Sequence, residues 1–433
     1  MSFLLKNITG VTVFTPFVES VDLRIDDGKI IERGKLLNPK SGDEVIDLNG
    51  KLVMPGLVNA HTHLYSSLSR GMPAPSVPPK NFVEILKKIW WRLDESLDDE
   101  AVYYSALVGA MESAKLGTTM LIDHHASPNF IHGSLDLIKE AMSVVGMRGV
   151  LCYETTNRGG AKRCMMGLEE NERFLTENVN HPHFKGLIGA HASFTLEDET
   201  LVQLGDLVTT YSSGIHIHVA EGIEDVQDAN KNRTIDIVRR LAHYQLLTKK
   251  SILAHGVHLS KHQIQQIQKH HSWIVHNPES NMNNGVGYAP VHLFGTRTAL
   301  GTDGFPSDMF EQAKIGYFRN AESDAKATLS TIPQFLQSGN AIASELFAQK
   351  FGSLEKGSAA DLIVLDYLPP TPLVANNILG HFLFGMRSSH VESVMVDGRW
   401  IVWNRQLPGV DEEAVMFRAR NVAQKLWKKM AKK

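Results

Sequence analysis

A chain of 433 residues, 43% hydrophobic and 21% charged, has the make-up of a globular protein, and it exceeds one ordinary compact domain unless that domain is a barrel with extensions. A net charge of −3 gives no basic footprint for nucleic acid or an acidic membrane surface. The opening MSFLLKNITGVTVFTPF reads as a strand and not a signal peptide, and no run of about 18 apolar residues offers a spanning helix.

The first fifty residues predict short alternating strands at 11–14, 20–25, 29–32, 45–48 and 52–53, with Asp27-Gly28 and Asn49-Gly50 as hairpin turns. The pattern returns at 361–365, 391–396 and 399–402, around Asp397-Gly398. Two β-rich ends flanking a long middle predict a small β-sandwich domain assembled from both termini, 1–55 with 350–405.

Between them, over 56–349, strand-like runs (119–122, 149–151, 186–190, 214–219, 251–254, 273–275, 299–301) alternate with helical spacing at 101–116, 135–145, 169–178, 234–246 and 261–269. This α/β alternation predicts a parallel (β/α)8 TIM barrel. Neither GxGxxG nor GxxxxGK[ST] is present to favour an open doubly wound sheet. The tail, 411–433, is an amphipathic helix with Val422, Leu426 and Met430 on one stripe; its terminal lysines suit a helix C-terminus.

Two cysteines, Cys152 and Cys164, are too few for a disulfide framework and fit a reducing, cytoplasmic setting, whereas 20 histidines are an excess. His270 and His271 end a polar helix and read as surface. In a barrel the chemistry belongs at strand ends. His61 and His63, two apart on one strand, face the same side and can pinch a metal. His218 ends another strand, with Glu221 at the start of the next loop as a proton carrier. His216 shares that parity but lies deeper and reads as structural. A third apolar strand ends on His255 and a fourth on Asp303. Spacings of 37 residues from His218 to His255 and 48 on to Asp303 fit one and two βα units. Three histidines plus an aspartate suit one divalent ion per chain, zinc first, with iron(II) or manganese as alternatives.

The motifs PGLVNAHTHL, KLGTTMLID, HVAE, LAHGVHLS, HNPESNMNNGVGYAPV, GTDG and GSLEKGSAADLIVLD resemble the amidohydrolase superfamily in its mononuclear deaminase branch, which holds guanine deaminase, S-adenosylhomocysteine deaminase and triazine hydrolases. GAHASFTL with HNPESNMNNGVGYAPV is most similar to the SsnA-type aminohydrolases. The resemblance implies His61, His63, His218 and Asp303 as metal ligands, and Glu221, His255 and Asp303 as catalytic groups. Asp303 and His255 would accept the proton of the attacking water, and Glu221 would protonate a ring nitrogen so that ammonia leaves. His191 is implied as a substrate contact; Arg70 and His125, near the ends of the first and second strands, are further substrate-binding candidates. His276 is a weaker candidate beneath the site, with Asn277, Ser280 and Asn281 holding its turn through side-chain to backbone bonds. Lys185 stands before the fourth strand, where two-metal relatives carry a bridging lysine at the strand end, which favours a single ion. Where S-adenosylhomocysteine deaminases tend to have Glu-Glu-Trp, this chain reads Val83-Glu84-Ile85, which speaks against a nucleoside.

The expected activity is hydrolytic deamination of a nitrogen heterocycle (a purine, pterin or similar ring), in a homodimer or larger homo-oligomer with no nucleic-acid or membrane partner. Trp90 and Trp91 are read either as a stacking wall for that ring or as helix packing. Two alternatives stand beside this activity. One is hydrolysis with chloride or an amide as leaving group. The other is a non-catalytic metal-binding role in the maturation of selenium or molybdenum redox enzymes, for which Glu221 would be superfluous.

Overall fold

The computed structural model describes residues 2–233, 235–323 and 327–432. Five strands precede the barrel: β1 (Ser2–Thr12), β2 (Phe17–Asp26), β3 (Lys29–Gly34), β4 (Asp43–Asp47) and β5 (Leu52–Pro55). The first runs well beyond the expected 11–14, because Phe3, Leu4, Leu5, Ile8 and Val11 are all buried. The barrel follows with β6 (Leu57–Thr62), β7 (Thr118–His125), β8 (Arg148–Tyr153), β9 (Phe184–Gly186) and β10 (Ile188–Ala192), then β11 (Ile215–Val219), β12 (Ile252–His255), β13 (Trp273–His276) and β14 (Thr298–Leu300). The chain returns to the first sheet with β15 (Leu362–Leu365), β16 (Val391–Val396) and β17 (Arg399–Val402).

Both termini share one eight-stranded sheet, ordered β17-β16-β15-β5-β1-β2-β3, with β4 parallel to β1. The seam is the antiparallel pair β5–β15, from Leu362↔Pro55 to Leu365↔Leu52. Asp27-Gly28 and Asp397-Gly398 both hold positive φ at both residues, as their hairpins require. One apolar core, including Phe3, Leu23, Ile25, Val53, Leu362 and Met395, fills this domain from both ends of the sequence.

The barrel strands are parallel throughout, in two arcs, β6-β7-β8-β9 and β10-β11-β12-β13-β14. β9 and β10 are two halves of the fourth strand. Closure is made by backbone bonds from Thr302 and Asp303 N–H to His61 O (3.0 Å each) and from His63 N–H to Asp303 O (3.2 Å). Gly301 permits that approach, since a Cβ there would lie 2.4 Å from Asn277 Oδ1 and 2.8 Å from His61 O.

Helices Asp99–Lys115, Ser134–Val145 and Lys261–Lys269 match the expected spans closely, while Ala161–Glu177 begins eight residues before its expected start at 169. The helix expected over 234–246 is Ile237–His243, capped by Asp236; Thr234 lies outside the described residues. The tail helix Glu412–Ala431 packs on Asp99–Lys115 with Ala419, Val422 and Leu426 buried. Its lysines are not simply solvated: Lys425 pairs with Glu100 at 2.8 Å and Lys429 with Asp98. Lys433 of the expected tail lies outside the described residues. Among the described residues no helix is long and apolar enough to cross a membrane.

Candidate active site

Parity along β6 turns His61 and His63 inward, as expected of residues two apart. His63 Nε2 lies 2.9 Å from Asp303 Oδ1 and 3.2 Å from His218 Nε2; His61 Nε2 is 3.4 Å from the same Asp303 oxygen. Ligand atoms of His61, His218, His255 and Asp303 all fall within 4.8 Å of one another. A second such group, His63, His124, Glu154 and His218, adjoins it. Five of the six side chains implied as ligands or catalytic groups thus meet at one point, and the sixth, Glu221, lies 3.5 Å from His255 Nε2.

Each imidazole is oriented by a bond at its other nitrogen. His63 Nδ1–H donates to His124 O (2.5 Å) and His218 Nδ1–H to His191 O (2.8 Å), which turns the two Nε2 atoms toward each other. His255 Nδ1 is held by Asn281 Oδ1 at 2.9 Å. His61 Nδ1 meets His216 Nε2 at 2.9 Å, and His216 Nδ1 in turn lies 3.6 Å from Cys152 Sγ. His216 is therefore structural in the sense expected, as the brace of His61.

The short helix Pro278–Asn283 corrects one expectation. Ser280 and Asn281 do not bond the local backbone through their side chains. Ser280 Oγ–H donates to Asp303 Oδ2 (2.5 Å), Asn281 Oδ1 accepts from His255 Nδ1–H, and Asn284, three residues on at the helix end, donates to Glu221 Oε1 at 3.2 Å. One helical turn thus holds three site residues. Ala220, His255 and Asp303 all sit at positive φ (52°, 77° and 56°), strained conformations kept where strand ends must aim side chains inward. Asp225 locks the first of these by accepting the Ala220 N–H at 2.8 Å.

Burial and charge divide the cluster electrostatically. Burial drives His61 down to about 3 and His218 well below the ordinary histidine value. His63 meets the same burial, but the Asp303 carboxylate outweighs it and raises His63 to about 9. Asp303 is itself pushed up by burial and, more strongly, pulled well down by His61 and His63. Burial lifts Glu221 to about 7 against the pull of His255.

These groups form one end of a central cavity lined also by Tyr65, Phe82, Leu86, Trp90, Trp91 and His191. Both tryptophans face it, from a helical segment spanning 82–94 that contains a π-type turn over Leu86–Trp90. His191 lines it, with Nδ1 on Thr195 Oγ1 at 2.8 Å. Arg70 does not: its side chain is 55% exposed and forms a two-pronged pair with Glu112. Nor does His125, which bonds Ser127 Oγ (2.8 Å) between the rings of Tyr65 and Tyr153. His276 is buried below the cavity against Tyr288 and Phe294, and the side-chain atoms of Asn277 make no hydrogen bond among the described residues. Lys185 sits at the N-terminal end of the fourth strand, bonded to Val179 O.

Sequence reasoning missed Asp94 and Glu154, two buried carboxylates that line the cavity, Glu154 beside His63 and His218. Glu84, where a carboxylate was sought, instead pairs with Lys88 at 2.8 Å. Glu154 had a readable signal: it follows the apolar strand β8 with the parity of inward-facing Cys152.

The chain is 29% identical over 444 residues to 5-methylthioadenosine/S-adenosylhomocysteine deaminase of Thermoanaerobacter pseudethanolicus, covering 98% of this chain and all of that one. It is 28% identical over 413 residues to the deaminase of the same name from Thermococcus sibiricus, covering 93% and 94%. Among solved structures it is similar to a zinc-bound adenosine deaminase from Xanthomonas campestris (TM-score 0.83, 20% identity, 98% of each chain). A guanine deaminase from C. acetobutylicum with guanine in its active site gives a TM-score of 0.77 at 17% identity, covering 92% of this chain and all of that one. With residues 52–401 matching the amidohydrolase family, this chain belongs to that family of hydrolases.

Proposed function

We propose that the protein is a metal-dependent hydrolytic deaminase that releases ammonia from an amidine-like carbon of a nitrogen heterocycle, a purine, pterin or similar ring. The observation that carries this reading is the convergence of Glu221, His255 and Asp303 with three imidazoles at one end of a cavity walled by aromatic rings. A pure metal-storage role has no use for Glu221 in that place. Relatives matched over nearly their whole length bear deaminase names, which favours ammonia over chloride as the leaving group.

The residues fit a divalent ion. His61 Nε2 and His255 Nε2 are buried with no hydrogen-bond partner, and His63 Nε2 lies between Asp303 Oδ1 (2.9 Å) and His218 Nε2 (3.2 Å). With an ion in place of the proton that Asp303 holds on His63, three imidazoles and one carboxylate would suit zinc, held by His61, His63, His218 and Asp303. When bound, the ion supplies Lewis acidity that makes water nucleophilic near neutral pH.

The protein's own groups do the rest. His255, its Nδ1–H fixed on Asn281, presents Nε2 to the attacked group and takes a proton with Asp303. Glu221, steadied by Asn284, delivers its proton to the ring nitrogen and recovers one from the hydroxyl as the carbonyl forms, while the proton taken by His255 and Asp303 passes to the departing amine. Trp90, Trp91, Phe82 and Leu86 hold a flat ring and exclude water.

The test is metal analysis of purified protein together with ammonia release from purines, pterins and pyrimidines, before and after chelation. About one ion per chain and chelator-sensitive ammonia release support the reading. Bound metal with no ammonia from any ring contradicts deamination, and protein that never retains metal contradicts the ligand set.

A further inference from the structure

The backbone does not call for glycine at position 222. Gly222 sits at φ −93° and ψ 154°, extended values open to any residue. What excludes a side chain there is a neighbour: a Cβ would lie 2.5 Å from Phe82 Cδ1 and 3.2 Å from its Cε1. The Glu224 carboxylate, 2.7 Å away, is the far end of a side chain that can turn aside. The glycine next to Glu221 is thus the seat of the Phe82 ring, and Phe82, Glu221 and Gly222 all line the cavity.

Phe82 belongs to a small apolar cluster with Leu86, Val257 and Val286, packed against Trp90, Trp91 and Phe194. The cluster joins the 82–94 segment to the connections after β12 and β13 across the barrel mouth, and it is separate from those that fill the barrel. The two ends of the segment are held unequally. At the far end Leu93 is fully buried, and Arg92 Nη2–H donates to Met430 O of the tail helix at 2.7 Å. At the near end residues 71–81 carry neither helix nor strand and are mostly exposed. Among the described residues their hydrogen bonds reach no partner outside 69–88. A buried pivot at one end and few anchors at the other let such a segment open as a unit.

We infer that the 82–94 segment is a lid that pivots at Arg92 and Leu93 and closes by seating Phe82 on Gly222, which makes Phe82 a positioning residue that shuts the cavity beside Glu221. A ring enters while Phe82 is lifted and reacts once it is seated. What the lid covers rests on the deaminase reading; that it opens does not.

The experiment is hydrogen–deuterium exchange on the full chain as purified, with kcat/KM measured alongside. In the wild type the amides of 82–94 are expected to exchange about tenfold or more faster than those of the barrel helix Asp99–Lys115. Gly222→Ala should speed 82–94 by about tenfold again, leave 99–115 unchanged and lower kcat/KM about tenfold, because the new Cβ holds the ring off its seat. Phe82→Val removes the δ and ε carbons that this Cβ would meet. Adding Gly222→Ala to Phe82→Val should therefore change exchange and kcat/KM by less than about twofold. A disturbance of Glu221 by its altered neighbour, in contrast, would persist in that background. Amides of 82–94 as protected as those of 99–115, or an effect of Gly222→Ala that Phe82→Val does not remove, overturns the lid while the deaminase reading stands. If no ring releases ammonia, that reading fails by itself, and the exchange rates still decide the lid.

Discussion

Two walls of the central cavity follow different plans. At the Asp303 end the side chains are anchored: His63 and His218 by main-chain carbonyls, His61 by His216, His255 by Asn281, Asp303 by Ser280 and Glu221 by Asn284. Along residues 82–94 the wall is instead aromatic and apolar, Phe82, Leu86, Trp90 and Trp91 facing the cavity from a helical segment that contains a π-type turn. The contrast teaches a division of labour: polar side chains at strand ends are fixed by their braces, while the facing wall offers flat apolar surface.

If the braces matter as this contrast holds, Asn281→Leu should lower kcat about 10–100-fold at unchanged metal content, because His255 loses the bond that fixes its tautomer. Steady-state kinetics on metal-quantified protein checks it; a change confined to KM would break the comparison. His216→Phe should act on metal instead, weakening chelator-competition affinity about 10–100-fold by freeing His61 to rotate. Wild-type affinity in that variant would reduce His216 to packing.

A smaller effect belongs to the turn that carries Glu221. Burial lifts the Asp225 carboxyl to about 7 from an unfolded value of 3.8, against the pull of the Ala220 and Phe194 N–H groups. A raised carboxyl contributes stability that is whole below the unfolded pKa and is lost as pH rises through about 7. Relative to Asp225→Asn, the wild type should therefore lose about 1–3 kcal/mol between about pH 4 and pH 8, read from denaturant midpoints. Identical pH slopes would contradict this. Smallest of all, Arg70→Ala should change kcat/KM less than about twofold, since Arg70 pairs with Glu112 at the surface. A tenfold loss would return Arg70 to the site.

How much of this could be read from the sequence follows from the same division. His61, His63, His218, His255 and Asp303 were legible because apolar strands end on them and period-2 parity says which way they point. His125 was misjudged where that rule was not applied: it is adjacent to inward-facing His124 on β7, so it turns away from the cavity. The roles of Ser280, Asn281 and Asn284 depend on a helix of six residues lying across the barrel mouth, a tertiary fact that no local pattern carries. Trp90 and Trp91 were legible as one of two readings, whereas Asp94 was hidden, since a π-type turn shifts which residues of a helix share a face. The seam between β5 and β15 was foreseen in kind, from two β-rich ends, but its register comes from packing around a shared core.

The account stands most directly on Glu221→Gln, compared with the wild type at matched metal content. Glutamine keeps the volume and the bond to Asn284 but cannot carry a proton, so ammonia release should fall about 10³-fold or more with metal occupancy unchanged. Ammonia release within about tenfold of wild type would contradict the placing of proton transfer on Glu221, and with it the deaminase mechanism drawn from this site.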